Sequence, residues 1–236
     1  MTDPRPVLLL GSAPSAVVCQ EWSKDEFSAI VAINNAWRIR SDWDFNIFPD
    51  DFPQERRPDA LQQGQSLVTS DIYVPSNNRF GGVFYAGGTM VFSAGYWVLD
   101  ALKPAGVVVV GCDMVYPASG KTHFYGTGTA DPLRKDPSLR SLEAKSARLM
   151  YKAAQQGCVL LRAPQNESRL GFPVWNGALP AAPPQADHAH AARAEALEKQ
   201  AGYFVPSGRY WDQIERFSND DIDAIDTQWR ATYPAP

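Results

Sequence analysis

Val7-Leu8-Leu9-Leu10-Gly11-Ser12-Ala13-Pro14-Ser15 is the stretch on which the fold turns. An unbroken apolar run ends in Gly, small residues and then Pro-Ser. This reads as a strand buried on both faces that breaks into a tight loop and opens a helix. A loop of that kind leaves backbone N–H groups free at a helix N-terminus, where phosphate binds. An ordinary strand-to-helix turn is the alternative reading. The G-x-G-x-x-G dinucleotide fingerprint is absent, because Ala13 and Ala16 stand where its second and third glycines belong.

Working outward, further apolar runs of strand length occupy residues 29–34, 45–48, 107–111 and 158–162, beside the first at 7–11. A less regular pair lies at 66–69 and 72–74. Residues 89–102 are apolar all round and read as a helix buried against a sheet. Lys103-Pro104-Ala105-Gly106 stops it. Residues 138–156 place Leu139, Leu142, Leu149, Met150 and Ala153 mostly on one face and then meet Gly157. Strands alternating with helices over short links mean a mostly parallel sheet covered on both sides. Residues 1–175 are therefore expected to form one doubly wound, Rossmann-like α/β domain. Residues 176–236 differ: 179–186 is a Pro- and Ala-rich linker, and a small helical appendage follows, packed on the domain or on a partner chain. There Asp187 and Gly202 should bracket a helix, and Ser207 and Ser218 or Asn219 should cap two more. Trp211, Ile214 and Phe217 form one apolar face, and Ile222, Ile225 and Trp229 another.

The bulk properties narrow the function classes. The chain has 236 residues, enough for a sizeable core. With 22 Lys and Arg against 26 Asp and Glu its net charge is −4, so nucleic acid is not an expected partner. No apolar run approaches the ~20 residues of a membrane span. The N-terminus lacks a signal-peptide pattern, and the three cysteines, Cys19, Cys112 and Cys158, lack zinc or redox spacing. A cytoplasmic protein with buried thiols is expected, with a homo-oligomer left open.

In a doubly wound sheet ligands lie beyond the carboxyl ends of the strands. That rule selects Gly11–Ser15 as a phosphate or ribose cradle. It also selects Asn34 and Asn35 as amides for a base or sugar, or as plain turn formers. Asp50 and Asp51 are a carboxylate pair for a hydroxyl or metal, or caps of the next turn. Gly88 and Thr89 open the buried helix, where Gly permits close approach and Thr caps or meets phosphate. Asp113 and Tyr116 leave a central strand shortly before His123-Phe124-Tyr125-Gly126-Thr127-Gly128-Thr129. One His beside Tyr and several Gly residues makes His123 the candidate general base next to a mobile lid. Lys121, Arg134, Lys135 and Arg140 surround that loop and could neutralise a diphosphate or simply face solvent. Asn166 and Ser168 follow the last strand and are candidates for completing an acceptor pocket. His188 and His190 fall in the Ala-rich tail and are expected to be solvated.

Together these residues resemble the Campylobacter-type bacterial sialyltransferases and the Rossmann-like proteins related to them. Those relatives include flagellin-modification (motility accessory factor) proteins and the archaeal pterin diphosphokinase-like domain. The resemblance covers about residues 7–170. Gly11-Ser12-Ala13-Pro14-Ser15 is similar to the family's Gly-Asn-Gly-Pro-Ser nucleotide loop, with Ser12 in place of Asn. Ile33-Asn34-Asn35 is similar to its second strand end. The helix from Thr89, then residues 107–111 with Asp113 and Tyr116, is similar to its helix, strand and Gly-x-Asp-x-Tyr corner. Pro164–Ser168 is similar to its last Pro-Asn-Ser turn. The resemblance implies a metal-independent glycosyltransferase acting on a CMP-type nucleotide sugar and a hydroxyl acceptor on a glycan or small molecule. His123 would be the base, and Tyr116 and Tyr125 would serve the leaving phosphate. Two other readings stay open. A pterin-type diphosphokinase would use ATP and Mg²⁺ on Asp50, Asp51 or Asp113. A nucleotide- or glycan-binding module would have no turnover.

Overall fold

Val7 and Leu9 of the first strand, β1 (Val7–Leu10), join one apolar cluster, and Leu8 and Leu10 join another on the opposite face. Alternate side chains of a strand point to opposite faces, so an all-apolar strand must be covered twice. The computed structural model, which describes residues 3–164 and 167–233, provides both covers. The strands are β1, β2 (Ala29–Ile33), β3 (Phe45–Ile47), β4 (Ser66–Val68), β5 (Gly106–Val110) and β6 (Val159–Arg162). They form one all-parallel sheet in the order β4-β3-β2-β1-β5-β6. The chain moves outward from β1 to β4, then crosses back to add β5 on the other side of β1. The switch point therefore lies between β1 and β5, with Leu10 level with Ala32 on one side and Val110 on the other. This is the expected α/β, Rossmann-like architecture.

The two covers differ in kind. One face carries α1 (Ser70–Asn78), α3 (Met90–Ala101) and α4 (Leu142–Ala154), packed through Tyr73, Phe92, Trp97, Leu99, Leu149 and Met150. The short α2 (Val83–Ala86) precedes α3. The other face is covered by 3₁₀ turns, Pro14–Glu21 and Asn34–Arg38, with Trp22, Phe27, Trp43 and Trp175 filling between them. The helix expected after the Gly11 loop is thus a 3₁₀ segment. Pro14 starts it, Val17 and Val18 are stiff at χ1, and no side chain caps it. Residues 72–74, expected as a strand, lie inside α1, which contains Pro75 and starts at Ser70.

Residues beyond 176 add a third layer. Asp187 caps α5 (His188–Ala201) through the N–H groups of Ala189 and His190, and left-handed Gly202 closes it. Ser218 caps α6 (Asn219–Thr232). Ser207 accepts from the Arg209 N–H at 3.3 Å but is not the cap of the intervening 3₁₀ segment, Tyr210–Arg216, which starts after Arg209. Ile222, Ile225 and Trp229 pack with Ala144 and Tyr151 of α4 and with Phe84 and Tyr85 of α2. Phe217 joins them, whereas Trp211 and Ile214 remain 56% and 51% exposed. Two buried ion pairs tie the layers: Lys145–Asp226 at 2.9 Å and Arg148–Glu198 at 2.7 Å. His188 is exposed, but His190 is half-buried, its Nδ1 2.8 Å from Gln228 Oε1. At the far edge of the sheet, residues 173–175 lie along β6, where the Arg162 N–H donates to Pro173 O and the Trp175 N–H to Arg162 O. Cys19, Cys112 and Cys158 are all buried and free. Among the described residues no helix is long and apolar enough to cross a membrane.

Candidate functional site

β1, β2 and β5 stop one residue earlier than their apolar runs suggest. Asn34 adopts φ +50° and Gly111 φ +68°, both outside the extended region. At Gly11 the reason is proximity: a Cβ would lie 2.3 Å from Cys112 Sγ and from Gly111 O. The ends of β1 and β5 therefore touch, and a Cβ on Gly111 would in turn meet Ala16 at 2.4 Å. Beyond these tips, at the switch point, opens a cleft of about 780 Å³. That is within the size range of ligand-binding clefts.

Its floor is formed by Gly11, Ser12, Ala13, Gly111 and Cys112. One wall carries Asn34 and Asn35, then Arg38, and Asp51 and Arg56 from the segment after β3. The other carries Asp113, Tyr116, Thr122, His123, Tyr125 and Asp131, all from the long excursion between β5 and α4. Thr89, Met90 and Val91 at the start of α3 close the back. Segments far apart in sequence thus meet in one concavity. Asn34 and Met114, the latter at φ +57°, line it in left-handed conformations, and such strain in non-Gly residues collects at functional sites.

His123 is 9% exposed and built into a small frame. Its N–H and carbonyl pair with Gly126 across a tight turn, and Phe124 N–H donates to Ser12 O at 2.9 Å, tying the loop to the floor. The Thr122 hydroxyl accepts from Gly128 N–H at 2.8 Å, lies 3.2 Å from Gly128 O, and is 2.9 Å from His123 Nδ1. A hydroxyl has one proton. When that proton goes to Gly128 O, Nδ1 is the protonated nitrogen and donates to Thr122. Nε2 then keeps its lone pair for an incoming group. Burial lowers the His123 pKa, which favours the neutral ring. The Tyr125 ring stacks on the imidazole at 5.0 Å and the Tyr116 ring lies at 6.1 Å. Burial, with Cys112 and Asp113 adding to it, raises the Tyr116 pKa and keeps its phenol a donor. Asp113 is raised chiefly by burial, against hydrogen bonds from Val115 N–H at 3.2 Å and Ser15 Oγ at 3.4 Å.

Several expected residues lie elsewhere. Pro14 and Ser15 are outside the cleft lining, and the Gly11 and Ala13 N–H groups are already bonded to Val110 O and Gly111 O, leaving the Ser12 N–H in the loop. The backbone cradle is smaller than expected because the neighbouring strand end takes its donors. Gly88 also lies outside the lining: its N–H donates to Ser138 Oγ, its carbonyl accepts from Arg134, and a Cβ there would collide with the Tyr210 hydroxyl. Thr89 lines the cleft, but no hydroxyl bond caps α3. Asp50 accepts from Ser70 Oγ at 2.6 Å beside the start of α1, and it is Asp51 that faces the cleft. Ser168 Oγ accepts from Leu170 N–H, away from the cleft, and Asn166 lies outside the described residues.

The cations are also not those expected. Arg134 is held by Asp131 and Asp136, and Arg140 by Asp223; neither lines the cleft, nor do Lys121 and Lys135. Arg38 and Arg56 do. They sit a few residues past the strand ends, one turn beyond the positions the strand-end rule selects. Among the described residues no group of three or more His, Cys, Asp or Glu side chains is arranged to hold a metal ion. Comparison with protein-family models, with curated proteins and with solved structures finds no match to this chain.

Proposed function

We propose that the cleft binds a nucleotide-activated sugar, CMP-linked, and transfers the sugar to a hydroxyl acceptor. What supports this reading is the framed, neutral His123 at a switch-point cleft, with two tyrosines beside it. In the reaction the acceptor O–H proton passes to His123 Nε2 as its oxygen attacks the anomeric carbon. The bond from that carbon to the phosphate oxygen breaks, and CMP leaves with the electron pair. Tyr116 and Tyr125 donate hydrogen bonds to the phosphate oxygen as charge develops there. Asn34 and Asn35 receive the nucleoside: their side-chain oxygens are buried without a partner among the described residues, an arrangement that a ligand N–H or O–H would relieve.

A diphosphokinase reading would place Mg²⁺ on Asp50, Asp51 or Asp113. Of these Asp50 bonds Ser70 outside the cleft lining, and Asp51 and Asp113 line it, which is fewer than the three carboxylate or other ligand groups of a built metal site.

His123→Ala is the test. With CMP-linked sialic acid as donor, release of CMP should fall by about 10²–10⁴-fold, the usual contribution of a positioned base. CMP affinity, read by calorimetry, should stay within about threefold, less than 1 kcal/mol. Unchanged turnover in the variant removes the role.

A further inference from the structure

Arg38 and Arg56 reach the cleft from two different segments, the 3₁₀ turns Asn34–Arg38 and Gln54–Arg56. The indole N–H of Trp37, the residue beside Arg38, donates to the Arg56 carbonyl at 2.9 Å. That bond places both arginines on one wall. Both side chains are exposed, and neither guanidinium has a hydrogen bond or carboxylate partner among the described residues. Several other guanidiniums are engaged: Arg40 holds Asp42, Arg79 holds Asp100, Arg134 holds Asp131 and Asp136, and Arg169 holds Glu143.

The charges of the cleft are also divided. Two guanidiniums against the single carboxylate of Asp51 leave the β2–β3 wall net positive. The opposite wall carries Asp113 and Asp131, the latter paired with Arg134, together with the uncharged His123. The floor adds little for an anion, since two of its loop N–H groups are bonded to the neighbouring strand end. A ligand with an anionic end is therefore drawn to one side, with its neutral, reacting end toward His123.

We infer that Arg38 and Arg56 form a clamp for an anionic group, a phosphate or a carboxylate, of the ligand that fills the cleft. Guanidinium forks suit either oxyanion, and hydrogen bonds to charged groups outweigh neutral ones. This deepens the nucleotide reading and rests on it for the nucleoside alone. Two sources supply the anion: the nucleotide's own phosphate, or an acid group on the sugar or the acceptor.

The test compares the wild-type chain with R38Q/R56Q, binding cytidine, CMP and inorganic pyrophosphate by calorimetry. Both side chains are exposed and the Trp37 bond uses backbone, so the variant should keep its circular dichroism and melting temperature. Pyrophosphate affinity should fall at least about tenfold in the variant, as loss of charge-assisted bonds implies. Pyrophosphate bound equally by both proteins, or by neither, overturns the clamp. Arg-dependent pyrophosphate binding without any binding of CMP or cytidine keeps the clamp and removes the nucleotide. CMP bound equally by both proteins, with pyrophosphate unaffected, does the reverse. Where the clamp holds, a titration of pyrophosphate into the CMP-saturated protein separates the sources. Competition, with the CMP-over-cytidine preference lost in the variant, assigns the clamp to the nucleotide phosphate. Co-binding assigns it to an acidic sugar or acceptor.

Discussion

His123 owes its proposed role to neighbours that have no chemistry of their own. Gly128 is one of them: a Cβ at that position would lie 2.6 Å from Nδ1, where a methyl group would push the ring off Thr122. Gly128→Ala should therefore reduce transfer while leaving the melting temperature near that of the wild type, because the loop is at the surface and the sheet is untouched. A kinetic assay beside a thermal melt checks both halves. The acid limb of the pH profile follows from burial. The base must be neutral, and burial lowers its pKa from the ordinary value of 6.5. Activity should persist as pH falls through about 6.5 and fail only below it. A kcat/KM profile with its acid limb above 6.5 would remove His123 as the titrating base.

At the scale of elements, the contact between the tips of β1 and β5 is the feature on which the cleft depends. Gly11→Ala places a methyl group against Gly111 O and Cys112 Sγ, at the β5 tip. Overpacking of this kind costs about 1–3 kcal/mol. In a chain of this size each kcal/mol is worth roughly 2–4 °C, so a thermal melt should show a drop of several degrees. The central strands were legible because each is a short apolar run, and β2 and β5 are ended by residues that leave the extended region, Asn34 and Gly111. The caps of α5 and α6 were legible because Asp187, Gly202 and Ser218 act on their nearest neighbours. The cover of the second face was not. Hydrophobic spacing does not separate 3₁₀ from α winding over Pro14–Glu21, where only Ala16 and Cys19 are buried. At the cleft, the strand-end rule found Asn34, Asn35, Asp113 and Tyr116, and the loop's His, Tyr and Gly residues pointed to His123. The rule missed Arg38 and Arg56, whose side chains reach back from the following turn. It could not separate Asp50 from Asp51, a distinction between adjacent residues that depends on Ser70 at the start of α1.

For the whole molecule, α4 is the shared wall between sheet and tail. It gives Leu149 and Met150 to one side and Lys145 and Arg148 to the other. Asp226→Ala would strand the Lys145 ammonium in a buried site. Removing one partner of such a pair costs about 3–5 kcal/mol, whereas replacing both with apolar residues is often neutral or stabilising. Asp226→Ala should melt well below the wild type, and a K145M/D226L double variant should recover most of the loss. Equal melting of the single variant and the wild type would mean the pair contributes little.

The segment at 173–175, laid along β6, bears on how copies of this protein meet. A foreign strand seeking unsatisfied amides finds one margin of the sheet paired at Arg162 and the opposite margin, β4, only three residues long. Edge-to-edge stitching, the usual route from a parallel sheet to fibrils, has little to grip at either side. Self-association of the folded chain is then expected to run through side chains rather than through shared backbone ladders, so that single surface substitutions should weaken it.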